Sequence, residues 1–163
     1  MSDLKLHKTV IGLKPKTRAE IVAILNVLLA DLSDLYSQTK QAHWNVRGPH
    51  FITLHELFDR QAEVVFKNID PLAERIAAIG GSPQGTVRAA AKCSHLKEFP
   101  TDGKNGMGYL EALVDRFGVV GNAFRDAVDK TADLGDTATS DLLTGTLREL
   151  DQAVWFLEAH HAE

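Results

Sequence analysis

Apolar residues recur every three or four positions over four long stretches of this chain, a spacing that places them on one face of a helix. In the first stretch Ile21, Leu25 and Leu28 follow it. Thr17 and Glu20 have the spacing of a capping box and predict where this helix begins. No stretch alternates with period two, so we expect no strand. The predicted long helices cover residues 17–46, 51–79, 106–134 and 136–160, with a short helix at 87–91.

The connections between these helices indicate how they pack. Gly48-Pro49, Gly80-Gly81 and Gly135 end helices and leave short turns, except after the second helix, where residues 82–104 form a long connection. A crossover of that kind lets the second and third helices lie parallel. The pattern therefore predicts an all-α, ferritin-like four-helix bundle over residues 17–163, preceded by a short basic arm of residues 1–16.

Pro71 breaks a local rule, because it lies inside the predicted second helix. Proline removes a helical hydrogen bond and should kink the chain there. Alternatively, Asp70 caps a new helix that starts at Pro71. We favour a continuous, kinked helix, since the apolar spacing of Val65, Ile69 and Leu72 runs through the proline.

The composition is that of a single globular domain. The 163 residues are 44% hydrophobic and 25% charged, with a net charge of −4, which disfavours a bulk nucleic-acid binder. Cys93 is the sole cysteine, so no disulfide can form within the chain, and this favours a reducing compartment. Neither a secretory signal nor a membrane span is visible. We expect a cytoplasmic protein.

Two pairs of metal-binding residue types lie on the second helix. His55 and Asp59 are four residues apart, as are Asp70 and Glu74, so each pair shares a helix face. The pairs lie about 22 Å apart along the helix and cannot hold one ion within one chain. Two copies packed antiparallel about a two-fold axis would bring unlike pairs together, with the axis near Val64-Val65.

His43, at the end of the first helix, could close each such site from the side. Imidazoles and carboxylates without a thiolate suit iron, manganese or zinc. The same spacing also occurs on ordinary solvated helix faces, so from spacing alone the alternative of a structural bundle with incidental acids stays open.

The stretch "KQAHWNVRGPHFITLHELFDRQ", followed by "IDPLAERIAAIGG", resembles the signature of the Dps family, the DNA-binding proteins from starved cells. The resemblance extends over nearly the whole chain apart from the arm. It implies a hollow homo-dodecamer that oxidises ferrous iron, preferably with hydrogen peroxide, and stores the ferric mineral, which protects the cell from oxidative damage. It also implies two irons per inter-subunit site, with zinc or manganese able to substitute. The implied ligands are His43, His55 and Asp59 of one subunit and Asp70 and Glu74 of its mate.

Three residues around this signature are assigned secondary roles. Trp44 follows a ligand and could quench a radical by giving up an electron, whereas Trp155 fits a core position equally well. Lys40, one turn before Trp44, could hydrogen-bond a site carboxylate or could be a surface residue.

Acidic residues near the start of the last helix form a candidate ion-entry pore. In the resembled family this region lines a three-fold pore, which implies roles for Asp133, Asp136 and Asp141. An acidic funnel would concentrate ferrous ions. The alternative is that these acids only complement a helix dipole.

The N-terminal arm raises the question of nucleic acid. Residues 1–20, which include the arm, contain five basic residues and two acidic ones. Twelve copies could bind DNA phosphates without sequence preference, in the cell as part of the bacterial nucleoid. We expect such binding to be weak and an arm docked on its own shell to be the better interpretation. A DNA-compacting protein is the alternative function.

Overall fold

The computed structural model describes residues 6–101 and 106–160 and is all-helical within those ranges. Its helices, in chain order, are α1 (Pro15–Asn45), α2 (Phe51–Ala78), α3 (Val87–Cys93), α4 (Gly106–Asp133) and α5 (Thr137–Glu158). The four long helices form the bundle, and α3 lies within the crossover. This arrangement confirms the predicted ferritin-like fold.

The core runs along the centre of the bundle, where α1 packs along α2 and α4 packs along α5. Phe58, Phe117 and Phe124 are the largest side chains that are fully buried in it. Leucine and isoleucine side chains from α1 and α2 fill the space between them. Burial of this apolar stripe is the main force that orders the helices.

Three helix boundaries differ from the sequence prediction by two residues: the start of α1, the end of α3 and the end of α5, which is at Glu158. The first helix begins at Pro15, and Lys14 precedes it without a side-chain cap, so the capping box at Thr17 is wrong. Proline at the first helical position already has the required φ, which explains the earlier start. Residues 15 and 16, predicted as the end of the arm, therefore belong to α1. The short helix extends to Cys93, with the Thr86 hydroxyl accepting a hydrogen bond from the Ala89 N–H.

Pro71 lies inside a single α2 helix, so the interpretation in which Asp70 caps a new helix is wrong. Proline has no N–H to donate to the carbonyl four residues earlier. The buried side chains of Leu72 and Ile76 nevertheless anchor the following turn in the core. Tertiary packing outweighs the lost backbone bond.

Three polar contacts hold the crossover against the bundle. The buried Asp31 carboxylate accepts a hydrogen bond from the His95 N–H at 2.7 Å. Gln38 donates to the Lys97 carbonyl at 3.1 Å, and Arg116 donates to the Glu98 carbonyl at 3.1 Å.

Among the described helices, none combines the length and apolar character that crossing a membrane requires.

Candidate metal centre

The turn between α1 and α2 brings two histidines into contact. His43 lies in the last turn of α1 and His55 in the second turn of α2. Their rings stack with centroids 3.8 Å apart and planes inclined by 20°. The Gly48-Pro49 turn, in which Gly48 has a positive φ of 109°, reverses the chain tightly enough for this contact.

Each histidine is fixed by the backbone of the other. Nδ1 of His43 lies 2.8 Å from the His55 carbonyl, and Nδ1 of His55 lies 2.9 Å from the His43 carbonyl. A carbonyl oxygen only accepts, so each Nδ1 must carry the proton. In the neutral imidazole Nε2 then holds the lone pair that a metal requires. Both rings thus hold the tautomer of a metal ligand.

Asp59 lies beside His43 and is the third candidate ligand of this half-site. Its Oδ1 lies 3.9 Å from Nε2 of His43 and 2.5 Å from Nζ of Lys40. The hydrogen bond from the Lys40 ammonium holds the pKa of the Asp59 carboxyl below its usual value, and this outweighs the opposing effect of burial. The carboxylate is therefore ionised at neutral pH. Lys40 thus contacts a carboxylate of the predicted site.

The second pair lies apart from this cluster. Asp70 and Glu74 are both exposed on α2, about 22 Å from the first pair. Within the described part of the chain, no three His, Cys, Asp or Glu side chains converge to hold a metal ion. A single chain thus presents two separate half-sites, one of His43, His55 and Asp59 and the other of Asp70 and Glu74.

Phe66 lies between these half-sites and was missed by sequence reasoning. Around the helix axis Asp59 lies about 20° from it and Asp70 about 40° from it. It is 61% exposed, with Tyr36 packed against its ring at 5.3 Å. Its spacing of seven residues from Asp59 and four from Asp70 could have identified it.

Val65, by contrast, is fully buried in the core of its own chain. Val64 lines the groove between α2 and α5 rather than the face that carries the ligands. The Val65 side chain is therefore not free to contact a second copy, because the axial midpoint of the helix says nothing about rotation around it. The position of the two-fold axis near Val64-Val65 stays a prediction.

The two tryptophans both lie on the surface of the chain. Trp44 is 67% exposed, and the Lys40 ammonium lies 5.9 Å from its ring centroid. Trp155 is 61% exposed and stacks on Phe156, so a core-filling role within the chain is wrong. A quenching role for Trp44 stays a prediction.

The candidate pore residues differ in their surroundings. Asp133 and Asp141 are exposed, whereas Asp136 is buried and caps α5 by accepting a hydrogen bond from the Thr139 N–H. Arg75 Nη2 lies 2.8 Å from both Asp136 carboxylate oxygens. Burial raises the pKa of Asp136, but hydrogen bonds from Thr139 and Arg75 outweigh it and lower the pKa. The carboxylate is occupied within the chain, which argues against Asp136 as a pore-lining residue.

The fold and the histidine–carboxylate clusters together define a class. A ferritin-like domain profile matches residues 22–163. A DNA protection during starvation protein from Agrobacterium fabrum is 41% identical over 98% of this chain and 99% of its own length. DpsC from Streptomyces coelicolor superposes with a TM-score of 0.93 at 29% identity, covering 98% of this chain and 93% of that one.

A second similar structure adds chemistry to the comparison. The Dps protein from Vibrio cholerae is 31% identical, with a TM-score of 0.89 over 97% of this chain and 99% of that one. It is described as a member of a broad superfamily of ferritin-like diiron-carboxylate proteins. The chain belongs to the Dps family of ferritin-like proteins.

Proposed function

We propose that this protein is a ferroxidase and iron store, which oxidises Fe(II) with hydrogen peroxide and keeps the ferric product inside a cage. The observation that carries the proposal is the half-site of His43, His55 and Asp59. Two imidazoles fixed with Nε2 free and a nearby ionised carboxylate are hard and borderline ligands. Since they do not converge on one point within the described chain, the carboxylates of a second copy have to complete the site. Iron suits this set, and zinc or manganese can take its place.

The other half of each site comes from a second copy. The Asp70 and Glu74 carboxylates are exposed on the same side of α2 as Asp59, with the exposed Phe66 between them. Antiparallel pairing about a two-fold axis near Phe66 brings the histidine-containing half-site of one copy next to the Asp70 and Glu74 half-site of the other. The symmetry completes two sites at once. We propose that such dimers assemble into a homo-dodecamer.

The chemistry follows from the number of irons per site. Two Fe(II) ions each give one electron, so two Fe(II), one H₂O₂ and two protons yield two Fe(III) and two waters. No hydroxyl radical forms when both electrons are delivered together. His55 and Asp59 hold the first iron, Glu74 bridges to the second, and Asp70 and His43 hold that second iron loosely.

Three further groups support the reaction. Lys40 orients the Asp59 carboxylate by a hydrogen bond before iron arrives. Trp44, exposed beside a ligand, is placed to supply an electron when only one iron is present. Asp133 and Asp141 remain the candidates for an acidic entry pore, since both are exposed.

Mixed cages test the shared site directly. One parent carries His55→Ala and Asp59→Ala, and the other carries Asp70→Ala and Glu74→Ala. Each parent should assemble and lack the fast phase of peroxide-driven Fe(II) oxidation. In a mixed dimer one site has all its natural ligands, and the other site carries the substitutions of both parents. Mixing should therefore restore part of the oxidation rate. If confirmed mixed cages are as inactive as both parents, the ligands do not act across a two-fold axis.

DNA compaction is the weaker candidate. Curated relatives are named for DNA protection, and Lys8, Lys14 and Lys16 are exposed. The arm is nevertheless docked, since the His7 N–H donates to the Gly80 carbonyl at 2.7 Å and Leu6 and Leu13 pack on the core. Residues 1–5, which include Lys5, lie outside the described residues.

We expect weak DNA binding that disappears at physiological salt. Gel-shift titration of the intact protein across a salt series measures it, with a chain lacking residues 1–13 as the control. Tight binding at physiological salt that the deletion abolishes would contradict this and favour the compaction function.

A further inference from the structure

The half-site of Asp70 and Glu74 lies on a segment of α2 with one fewer internal bond. Pro71 has no N–H and cannot donate the helical hydrogen bond to the Lys67 carbonyl. The turn of α2 that carries Asp70 therefore has one backbone hydrogen bond fewer. Neither Asp70 nor Glu74 has a hydrogen-bond or ion-pair partner within the described parts of the chain. The direction of these carboxylates therefore depends on how the end of α2 is held.

Arg18 of α1 holds this end directly. Its side chain is buried, and Nη1 donates to the Ile79 carbonyl at 3.1 Å and to the His7 carbonyl at 3.2 Å. A cation at a helix C-terminus is favourable because it meets the negative end of the dipole. The guanidinium thus ties together α1, the last turn of α2 and the N-terminal arm.

Gly80 makes room for this contact. It has a positive φ of 87°, and a Cβ there would lie 2.6 Å from both Arg18 Nη1 and the His7 carbonyl oxygen. The His7 N–H in turn donates to the Gly80 carbonyl at 2.7 Å. The arm, the arginine and the glycine therefore close around the end of α2 as one unit.

A second tie holds the same segment from the side of α5. Arg75, next to Glu74, donates through Nε to the Thr139 hydroxyl at 2.7 Å and pairs with the Asp136 carboxylate. Arg75 therefore ties the end of α2 to α5, while Arg18 and the arm hold it on the other side. Glu74 is five residues before Ile79, about 8 Å along the helix, so a shift at this end reaches the ligand.

We propose that Arg18 is a positioning residue for the Asp70 and Glu74 half of the shared metal site, and that it acts together with the backbone N–H and carbonyl of the arm at His7. The inference rests on the proposed function. It assigns the arm a role in the site of the neighbouring subunit, because the carboxylates it positions complete that site. Small displacements of ligands from their productive positions slow a reaction strongly. We therefore expect substitution of Arg18 to have a larger effect on the rate of Fe(II) oxidation than on the stability of the chain.

Arg18→Ala tests the proposal in the assembled protein. We expect the rate of peroxide-driven Fe(II) oxidation to fall by about 10- to 100-fold, as when a group that orients metal ligands is lost. Arg18→Lys keeps the charge and one donor and should recover part of the rate. In the arm, His7→Pro removes the N–H that bonds Gly80 and should lower the rate, whereas the matched His7→Ala keeps that bond and should not.

Mixing experiments separate positioning from general damage. Arg18→Ala chains mixed with chains carrying His55→Ala and Asp59→Ala form dimers in which one site has intact ligands throughout, so the rate should recover. Mixed with chains carrying Asp70→Ala and Glu74→Ala, they have no intact site, and the rate should not recover. General destabilisation of the Arg18→Ala chain would not distinguish the two mates.

The controls keep each outcome decisive. If the two double-variant parents complement each other but Arg18→Ala chains recover equally with both mates, or show no loss of rate, the positioning role is wrong. If the two parents fail to complement, the shared site itself is wrong. Should Arg18→Ala chains fail to assemble, His7→Pro chains go through the same mixing with the same expected dependence on the mate.

Discussion

Lys40 and Asp59 illustrate how one contact can have opposing effects on metal binding. The ammonium lies 2.5 Å from the carboxylate oxygen and keeps it ionised, which prepares a ligand. The same ammonium also competes with a divalent cation for that oxygen and repels it. At neutral pH Asp59 would be ionised without help, since its ordinary pKa is 3.8. Competition should therefore dominate there.

Lys40→Met should bind Zn(II) more tightly than the natural chain at pH 7, by about tenfold, which corresponds to about 1.4 kcal/mol. The methionine has a similar length but neither charge nor donor, so the competing cation is lost. Isothermal titration calorimetry of the assembled protein measures the affinity, and Lys40→Arg, which keeps the charge, is the matched control. Weaker Zn(II) binding by Lys40→Met would show that the lysine assists the site more than it competes.

At the scale of the element, the helices and most of their starts were predictable, and the start of α1 was not. The three- and four-residue spacing of apolar side chains determined the four long helices, because burial of one face dominates. The start of α1 depended on Pro15 rather than on the capping box at Thr17. The helix α3 begins at Val87 as predicted, with Thr86 as its N-cap, and ends two residues later than predicted, at Cys93.

The site was predictable to a similar depth. Both pairs on α2 follow from their four-residue spacing, and the contact of Lys40 with a carboxylate was a stated alternative. The reciprocal histidine bonds could not be predicted, because they depend on how the turn at Gly48 orients two helices. Phe66 was missed because distance along a helix was considered without rotation around it.

The tie between α2 and α5 has a pH dependence whose sign follows from Asp136. Its pKa is lowered in the fold, so its stabilising effect is complete above the ordinary value of 3.8 and is lost as the pH falls through the lowered value. Asp136→Asn keeps a good helix cap but loses the ion pair with Arg75. We expect a loss of about 3 kcal/mol in the free energy of unfolding at pH 7.

Urea unfolding of both proteins at a series of pH values tests this expectation. The difference between natural and variant chains should be constant near neutrality and shrink as the pH falls from about 4 through the lowered pKa, because there the unfolded natural chain binds a proton at Asp136 before the folded chain does. A difference that stays the same down to pH 2 would mean that the cap, and not the charge, is what the variant disturbs.

For the whole molecule, the exposed face of α2 predicts assembly. Phe66 is 61% exposed between two incomplete half-sites, and a second copy would cover it. With a chain mass of 17.9 kDa, a dodecamer has a mass of about 215 kDa.

Phe66→Arg should prevent the two-fold contact, because it places an unpaired charge in a buried interface. The variant chain should fold, since the residue is exposed in the single chain, but it should lack both the cage mass and the fast oxidation phase. Val65→Arg is the contrasting variant and should fail to fold, because Val65 is fully buried. Native mass spectrometry with circular dichroism separates these results, and a Phe66→Arg cage of natural mass would place the two-fold contact elsewhere.

The reciprocal bonds of His43 and His55 have a consequence for the direction in which iron travels. Stacked and bonded imidazoles have little rotamer freedom left to lose, so they bind a metal at a low cost in side-chain entropy. The exposed Asp70 and Glu74 side chains keep several rotamers and must give up that freedom for each ion they bind. We therefore expect the iron at His55 and Asp59 to be retained and the second iron, which depends on the mobile Asp70 side chain, to be released. The site would then work as a one-way exchange, in which entropy rather than charge decides which iron leaves first.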